Sequence, residues 1–176
     1  MNSPSQKSPG LFQNKMAFIW LLLSLLIVVL DLWTKDIATQ NLSLYRPVAL
    51  TSWLNMTLAH NYGAAFSFLS DAGGWQRWLF TGLATVVTGV LIAWLLRLPP
   101  AEKFTAAALA LIIGGAIGNL ADRVNHGYVV DFIDVYYRDW HWPAFNLADS
   151  AITCGVILLL IDGLFLSASK KPFADD

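Results

Sequence analysis

Charge is scarce in this chain, and cysteine scarcer still. Only 13% of its 176 residues are Asp, Glu, Lys or Arg, the formal net charge is -1, and no basic block is present. The electrostatic footprint of a nucleic-acid binder is therefore missing, and no nucleic-acid partner is expected. A single cysteine, Cys154, excludes an intrachain disulfide. It sits in an apolar run with no histidine nearby to activate it, which leaves small-residue packing as its role. His60, His126 and His141 show neither an HExxH motif nor the paired spacing that zinc hydrolysis uses. Ser67 and Ser150 lack a nucleophile elbow or an obvious base partner. No internal repeat or low-complexity tract is visible. Neither a metal nor an organic cofactor is expected.

What is abundant is apolar surface. Hydrophobic residues make up 56% of the chain, and the mean hydropathy is +0.54. Those values are wrong for a soluble globule of this size and right for a membrane protein. Residues Met1 to Asn14 are polar and rich in Ser and Pro, as a disordered tail would be. Lys15 then precedes a charge-free run from Met16 to Leu30. That outline also suits a secretory signal peptide, but the run continues into Asp31-Leu32-Trp33-Thr34-Lys35 without a small-x-small cleavage site, so it reads as a retained span.

Apolar runs predict spans at about 16–34, 78–96, 104–120 and 147–166, each roughly long enough to cross a hydrocarbon core of about 30 Å. Arg97 and Lys103 flank the short Pro99-Pro100 turn, while Lys7, Lys15, Lys170 and Lys171 lie in the tails. The positive-inside rule puts those ends in the cytoplasm. Lys35, Arg46, Arg77, Arg123 and Arg138 lie on the other side, so the raw count alone is less decisive. The expected architecture is one all-α polytopic membrane domain over residues 1–176: four transmembrane helices, a small extracytoplasmic β-sheet element, and cytoplasmic tails at 1–15 and 167–176. The outward segments are about 36–77 and 121–146. The first contains Val48 to Thr57, rich in strand formers, for the sheet. Trp53, Tyr62, Trp75, Trp78, Trp140 and Trp142 fall in or beside these segments, as in an interfacial aromatic belt.

Polar clusters gather on that outward side or at span ends. Asp31 and Lys35 stand at i and i+4, a spacing that suits a structural ion pair. Asn61, in a segment of small residues from His60 to Ser67, could bind the amides of an extended peptide or simply end the sheet in a turn. Gly114 and Gly118 form a small-xxx-small face. Asn119, Asp122 and Arg123 follow within about one helical turn, with Asp122 suited to a cation and Arg123 to a carboxylate or lipid phosphate.

Asp131 and Asp149 are expected at the outer ends of neighbouring spans. Ionisable groups at membrane depth are costly and are functional candidates. If the two converge, one proton is shared near neutrality, and the pair can activate water against a peptide carbonyl. Asn146 is placed to orient a carboxylate or the substrate backbone. Asp149 also suits a helix N-terminus for reasons of dipole alone. Asp134 is a rival to Asp131 but reads as a solvated loop acid. Asp162 reads as an inner-side acid reaching for the interface.

Taken in order, DLWTK (31–35), NYGAAFS (61–67), GNLADR (118–123), VVDFID (129–134) and FNLADS (145–150) resemble the bacterial lipoprotein signal peptidase (signal peptidase II) family. The resemblance implies an aspartic endopeptidase of the cytoplasmic (inner) membrane, multi-pass, acting at the outer face. Its substrate would be a diacylglyceryl-modified prolipoprotein, cut just before the lipidated cysteine. Asp131 and Asp149 would be the catalytic dyad. Asp31, Lys35, Asn61, Asn119, Asp122, Arg123 and Asn146 would be the supporting, substrate-binding positions. Membrane lipid and a globomycin-type inhibitor would be further partners, and a monomer is the default state. Two readings from other classes compete. A small proton-coupled carrier would use the same acids as a relay, but would need polar groups through both leaflets. A packing protein would use the glycines and aromatics, but would have no need of gathered Asp, Asn and Arg.

Overall fold

A computed structural model describes residues 15–63 and 74–166. Residues 1–14 and 167–176, with Lys7, Lys170 and Lys171, lie outside the described residues, as does Ser67 with half of its segment. The chain folds as helix α1 (Lys15–Asn41), strands β1 (Val48–Ala49) and β2 (Leu54–Asn61), helices α2 (Trp75–Arg97) and α3 (Lys103–Asn125), strands β3 (Val129–Tyr137) and β4 (Trp140–His141), and helix α4 (Leu147–Ile161). A π-helical turn, Asp162–Leu166, continues α4. Among the described residues, four helices are long and apolar enough to cross a membrane. At 27 residues, α1 is about 40 Å long and outreaches a hydrocarbon core of about 30 Å. Lys35 and its neighbours lie in the C-terminal part of that helix.

Helix α3 is the central post, packing against α1, α2 and α4. Its sequence permits this because Ala and Gly interrupt the Leu/Ile ridge, letting backbones approach. A Cβ on Gly114 would meet Ser24 O and Ile27 Cβ, both at 2.8 Å, and one on Gly115 would collide with the Ala148 carbonyl. From the other side, a Cβ on Gly155 of α4 would meet Ala108 O at 2.7 Å. Ser24 adds a hydrogen bond to the Ala110 carbonyl at 2.8 Å. Leu95, Leu98, Ala106, Leu109 and Ile113 close the core between α2 and α3. Leu22, Leu25, Val29, Leu83, Val86, Val90, Ile157 and Leu160 face outward, as lipid-facing residues do.

The strands form one antiparallel sheet in the order β1-β2-β3-β4. The stretch expected to be strand, Val48 to Thr57, divides into two strands that pair Val48 with Met56 and Ala49 with Asn55. A larger difference concerns VVDFID. It is the start of β3 rather than the end of a span, because its run of β-branched and aromatic residues pairs with β2 in the register Ala59 to Asp131 and Asn61 to Val129. The sheet thus carries part of the polar cluster itself.

Candidate active site

The site is assembled around the first turn of α4. Asn146 is its N-cap, in extended conformation, and Asp149 is the third helical residue. The Asn146 side-chain oxygen accepts from Asp149 N at 2.9 Å, and the Asp149 carboxylate accepts from Asn146 N at 3.2 Å. This reciprocal capping box satisfies two amides that a helix start otherwise leaves open. Asn146 is fully buried. Its Nδ2 donates to Asp131 Oδ1 at 2.7 Å, with Asn119 Oδ1 at 3.1 Å and Val130 O at 3.2 Å. One residue therefore binds both carboxyl groups, Asp131 through its carboxamide and Asp149 through its backbone amide.

Asp131 comes from β3, which delivers it into the interior at 2% exposure. Asn61, on the paired strand β2, donates Nδ2 to Asp131 Oδ2 at 3.1 Å. Burial raises the Asp131 carboxyl from its ordinary 3.8 to about 7, and the charge of Asp149 pushes the same way. The hydrogen bonds from Asn61 and Asn146 and the charge of Lys35 oppose that rise. Asp149 sits in a different setting. It lies in the first turn of α4, where the helix dipole favours negative charge, and it also receives Asn119 Nδ2 at 2.7 Å.

Beneath the two carboxyls lies a buried ionic layer. Lys35 Nζ is 2.7 Å from Asp31 Oδ2, 3.0 Å from Asp122 Oδ2 and 2.9 Å from Asn119 Oδ1. Asp31 Oδ1 accepts from the Ala148 amide at 2.9 Å, and Asp122 Oδ2 from the Val130 amide at 3.0 Å. The layer thus ties α1 to the start of α4 and α3 to the start of β3. Gly118 leaves the room for it, because a Cβ there would strike the Asp31 carboxylate. Arg123 donates Nη2 to Gly63 O at 3.2 Å and lies over the Phe80 ring at 5.8 Å. It also feels the charges of Asp149, Asp131 and Asp122.

All nine residues singled out in the sequence as a dyad and its support are thus connected: Asp131, Asp149, Asp31, Lys35, Asn61, Asn119, Asp122, Arg123 and Asn146. Two acids differ from expectation. Asp134 is a buried acceptor, 6% exposed, bound by Asn55 Nδ2 at 2.9 Å and His141 Nδ1 at 2.8 Å. It is not a solvated loop acid, because β3 continues past it and pairs it with Asn55. Asp162 does not reach for the interface. It is buried and accepts from Thr105 Oγ1 in the first turn of α3, where a carboxylate suits the dipole.

Arg77 is a residue that sequence spacing did not single out. It donates Nε to Arg123 O and Nη2 to Val124 O, each at 2.8 Å, capping the end of α3. Beside it, His60 stacks on Tyr128 at 3.9 Å, with Tyr62 and His126 completing an aromatic lip. Burial, with the charge of His126 second, lowers the His60 pKa from its ordinary 6.5. Among the described residues no group of three or more His, Cys, Asp or Glu is placed to hold a metal ion.

The sequence model of the family described as Signal peptidase (SPase) II matches residues 23–165. The chain belongs to the signal peptidase II family. It is similar to the lipoprotein signal peptidase of Acinetobacter baumannii (strain ATCC 17978), 57% identical over 172 residues that cover 97% of this chain and 98% of that one. That of Acinetobacter baylyi is 58% identical over 167 residues, covering 94% and 93%. That of Vibrio cholerae serotype O1 is 51% identical over 170 residues, covering 96% and 98%. In three dimensions the chain resembles a bacterial membrane enzyme solved by the in meso method at 2.3 Å resolution, with a TM-score of 0.78 and 30% identity. That match covers 94% of this chain and 97% of the other. Family membership and the four apolar helices make it a multi-pass membrane protein of a peptidase family.

Proposed function

We propose that this chain is an aspartic endopeptidase that removes signal peptides from diacylglyceryl-modified prolipoproteins, cutting just before the lipidated cysteine. Asp131 and Asp149 act as the dyad. The observation that carries this reading is the position of Asn146, which binds Asp131 with its side chain while sharing a capping box with Asp149. Both carboxyls are held by neutral donors, and they share one proton. Asp131, with its pKa near 7, keeps the proton. Asp149, supported by the dipole of α4 and by Asn119, keeps the charge.

In the reaction Asp149 takes a proton from the attacking water while Asp131 donates its proton to the peptide carbonyl. The tetrahedral intermediate then collapses as the amide nitrogen is protonated, without a covalent enzyme adduct. Lys35, Asp31 and Asp122 fix the elements that carry the pair. Asn61 and Arg123 orient the substrate backbone. The substrate's helix and acyl chains arrive through lipid, so the site belongs at the outer boundary of the cytoplasmic membrane, where water is available. Both termini are then cytoplasmic, the working unit is a monomer, and a globomycin-type inhibitor occupies the same site.

The test is cleavage of a diacylglyceryl-modified prolipoprotein by purified protein in detergent, followed by mobility shift, with and without a chelator. Loss of cutting in Asp131→Asn and Asp149→Asn, with chelator inert, supports the dyad. Cutting that survives in either variant, or that chelator abolishes, overturns it.

A further inference from the structure

Among the described residues the dyad reading leaves two buried carboxylates unused, Asp162 and Asp134, and the second lies on the strand that carries Asp131. Asp134 lies on β3 three positions beyond Asp131 and is bound from two other strands, by Asn55 of β2 and His141 of β4. His141 Nδ1 lies 2.8 Å from one Asp134 oxygen and 3.0 Å from the other, and its ring stacks on Tyr136 at 5.3 Å. From His141 the chain runs back along β3 toward α4. Trp142 N donates to Val135 O at 2.8 Å, and Phe145 N to Ile133 O at 3.0 Å. Phe145 O accepts from Ile133 N at 2.9 Å and Phe132 N at 3.0 Å. The next residue is Asn146. The link is thus laid on β3 by backbone bonds at one end and by the Asp134–His141 bond at the other.

We propose that Asp134 and His141 are positioning residues: their hydrogen bond sets the register of the link so that Asn146 meets Asp131 and Asp149 together. The proposal rests on the dyad reading only for its effect on rate. Its direct consequence is physical. If the link slackens, Asn146 withdraws its hydrogen bond from Asp131, and the protonated form of Asp131 is favoured further. The other groups that act on Asp131 stay unchanged: Asp149 on α4, Lys35 on α1 and Arg123 on α3, with neutral Asn61 on β2.

The experiment uses the full chain in detergent with 13C-labelled aspartate carboxyls, the Asp131 resonance being assigned by its loss in Asp131→Asn. His141→Phe keeps a ring against Tyr136 but removes the donor. The Asp131 titration midpoint should move upward, and kcat should fall about tenfold or more with KM little changed, as expected for a small misplacement of reacting groups. His141→Asn, whose amide nitrogen can take the place of Nδ1, should restore both. Asp139→Asn, in the exposed turn of the same hairpin, should change neither. If His141→Phe does not fold, Asp134→Leu, which removes the acceptor, takes its place with the same expected direction and the same overturning result. A midpoint and kcat that match wild type in the donor-free variant overturn the proposal, and so does a fall in kcat that His141→Asn cannot rescue. A shifted midpoint together with an active Asp131→Asn would leave the positioning role standing and remove the dyad reading instead.

Discussion

Asn119 gives its amide nitrogen to Asp149 at 2.7 Å while its oxygen takes Lys35 at 2.9 Å. A single neutral side chain on α3 therefore joins the ionic layer to a carboxylate of the proposed dyad. An asparagine can do this because it presents a donor and an acceptor in a fixed fork, which neither Asp nor Leu can. Asn119→Asp puts a third acid beside Asp31 and Asp122 and removes the donor to Asp149; Asn119→Leu removes both bonds. Both variants should lose cleavage, with kcat down about 100-fold or more on the scale of general acid–base effects. Steady-state kinetics on the lipidated substrate measure it.

The pH profile should have a falling alkaline limb. Asp131 holds its proton up to about pH 7, and cleavage should decline as pH rises through that value. The stability sign is the same. The Asp131 pKa is raised above 3.8, so between about pH 4 and 7 the folded protein binds more protons than the unfolded chain, and stability drains as pH rises through the window. Asp131→Asn should remove that slope from a series of thermal melts in detergent. A slope of unchanged size would assign it to another group.

Lys35 is the one cation of a layer with two buried acids, and it is 3% exposed. Lys35→Met leaves both acids uncompensated and should cost about 3–5 kcal/mol. A triple variant with Met at 35, Asn at 31 and Asn at 122 should recover much of that stability without recovering cleavage. Chemical denaturation followed by tryptophan fluorescence separates the two outcomes.

Gly155→Ala probes the contact between α3 and α4. The added methyl would meet Ile112 Cγ1 at 2.6 Å and the Ala108 carbonyl at 2.7 Å. Neither helix can yield without moving the other, so a loss of about 1–3 kcal/mol is expected, as for overpacked cores. Gly89→Ala, where nothing lies within 4 Å of the new carbon, is the matched control. Thermal melts of the two variants decide it.

At the end of the bundle away from the two acids, Thr105→Val removes the donor to Asp162. Melting should fall by a few degrees while kcat stays at the wild-type value, since the pair joins α3 to α4 far from the dyad. A matching loss of kcat would mean that the two sides of the membrane are coupled through α3.

The helices were legible in the sequence because each is a long apolar run, and chain-local physics suffices to read such runs. The ionic pair of Asp31 and Lys35 was legible for the same reason, lying one turn apart. The sheet's part in the site was not. Asp131 depends on Asn61, 70 residues away, and Asp31 on the Ala148 amide, 117 residues away. No spacing rule reaches that far. The burial of Asp134 comes from strand pairing rather than from its sequence neighbours, and the partners of Arg77 are backbone carbonyls, which every sequence offers.

Surface links usually tolerate changes in length. The link from His141 to Asn146 should not, because α4 begins at the residue that aligns the two acids. One residue added there would either start the helix early or carry the asparagine past its partners. The turn between β1 and β2, exposed and bound to nothing in the dyad, has no such constraint. Variation in chain length should therefore collect in that turn and stop short of the link, leaving the gap between Asp131 and Asp149 as a fixed ruler in a protein whose other loops are free to drift.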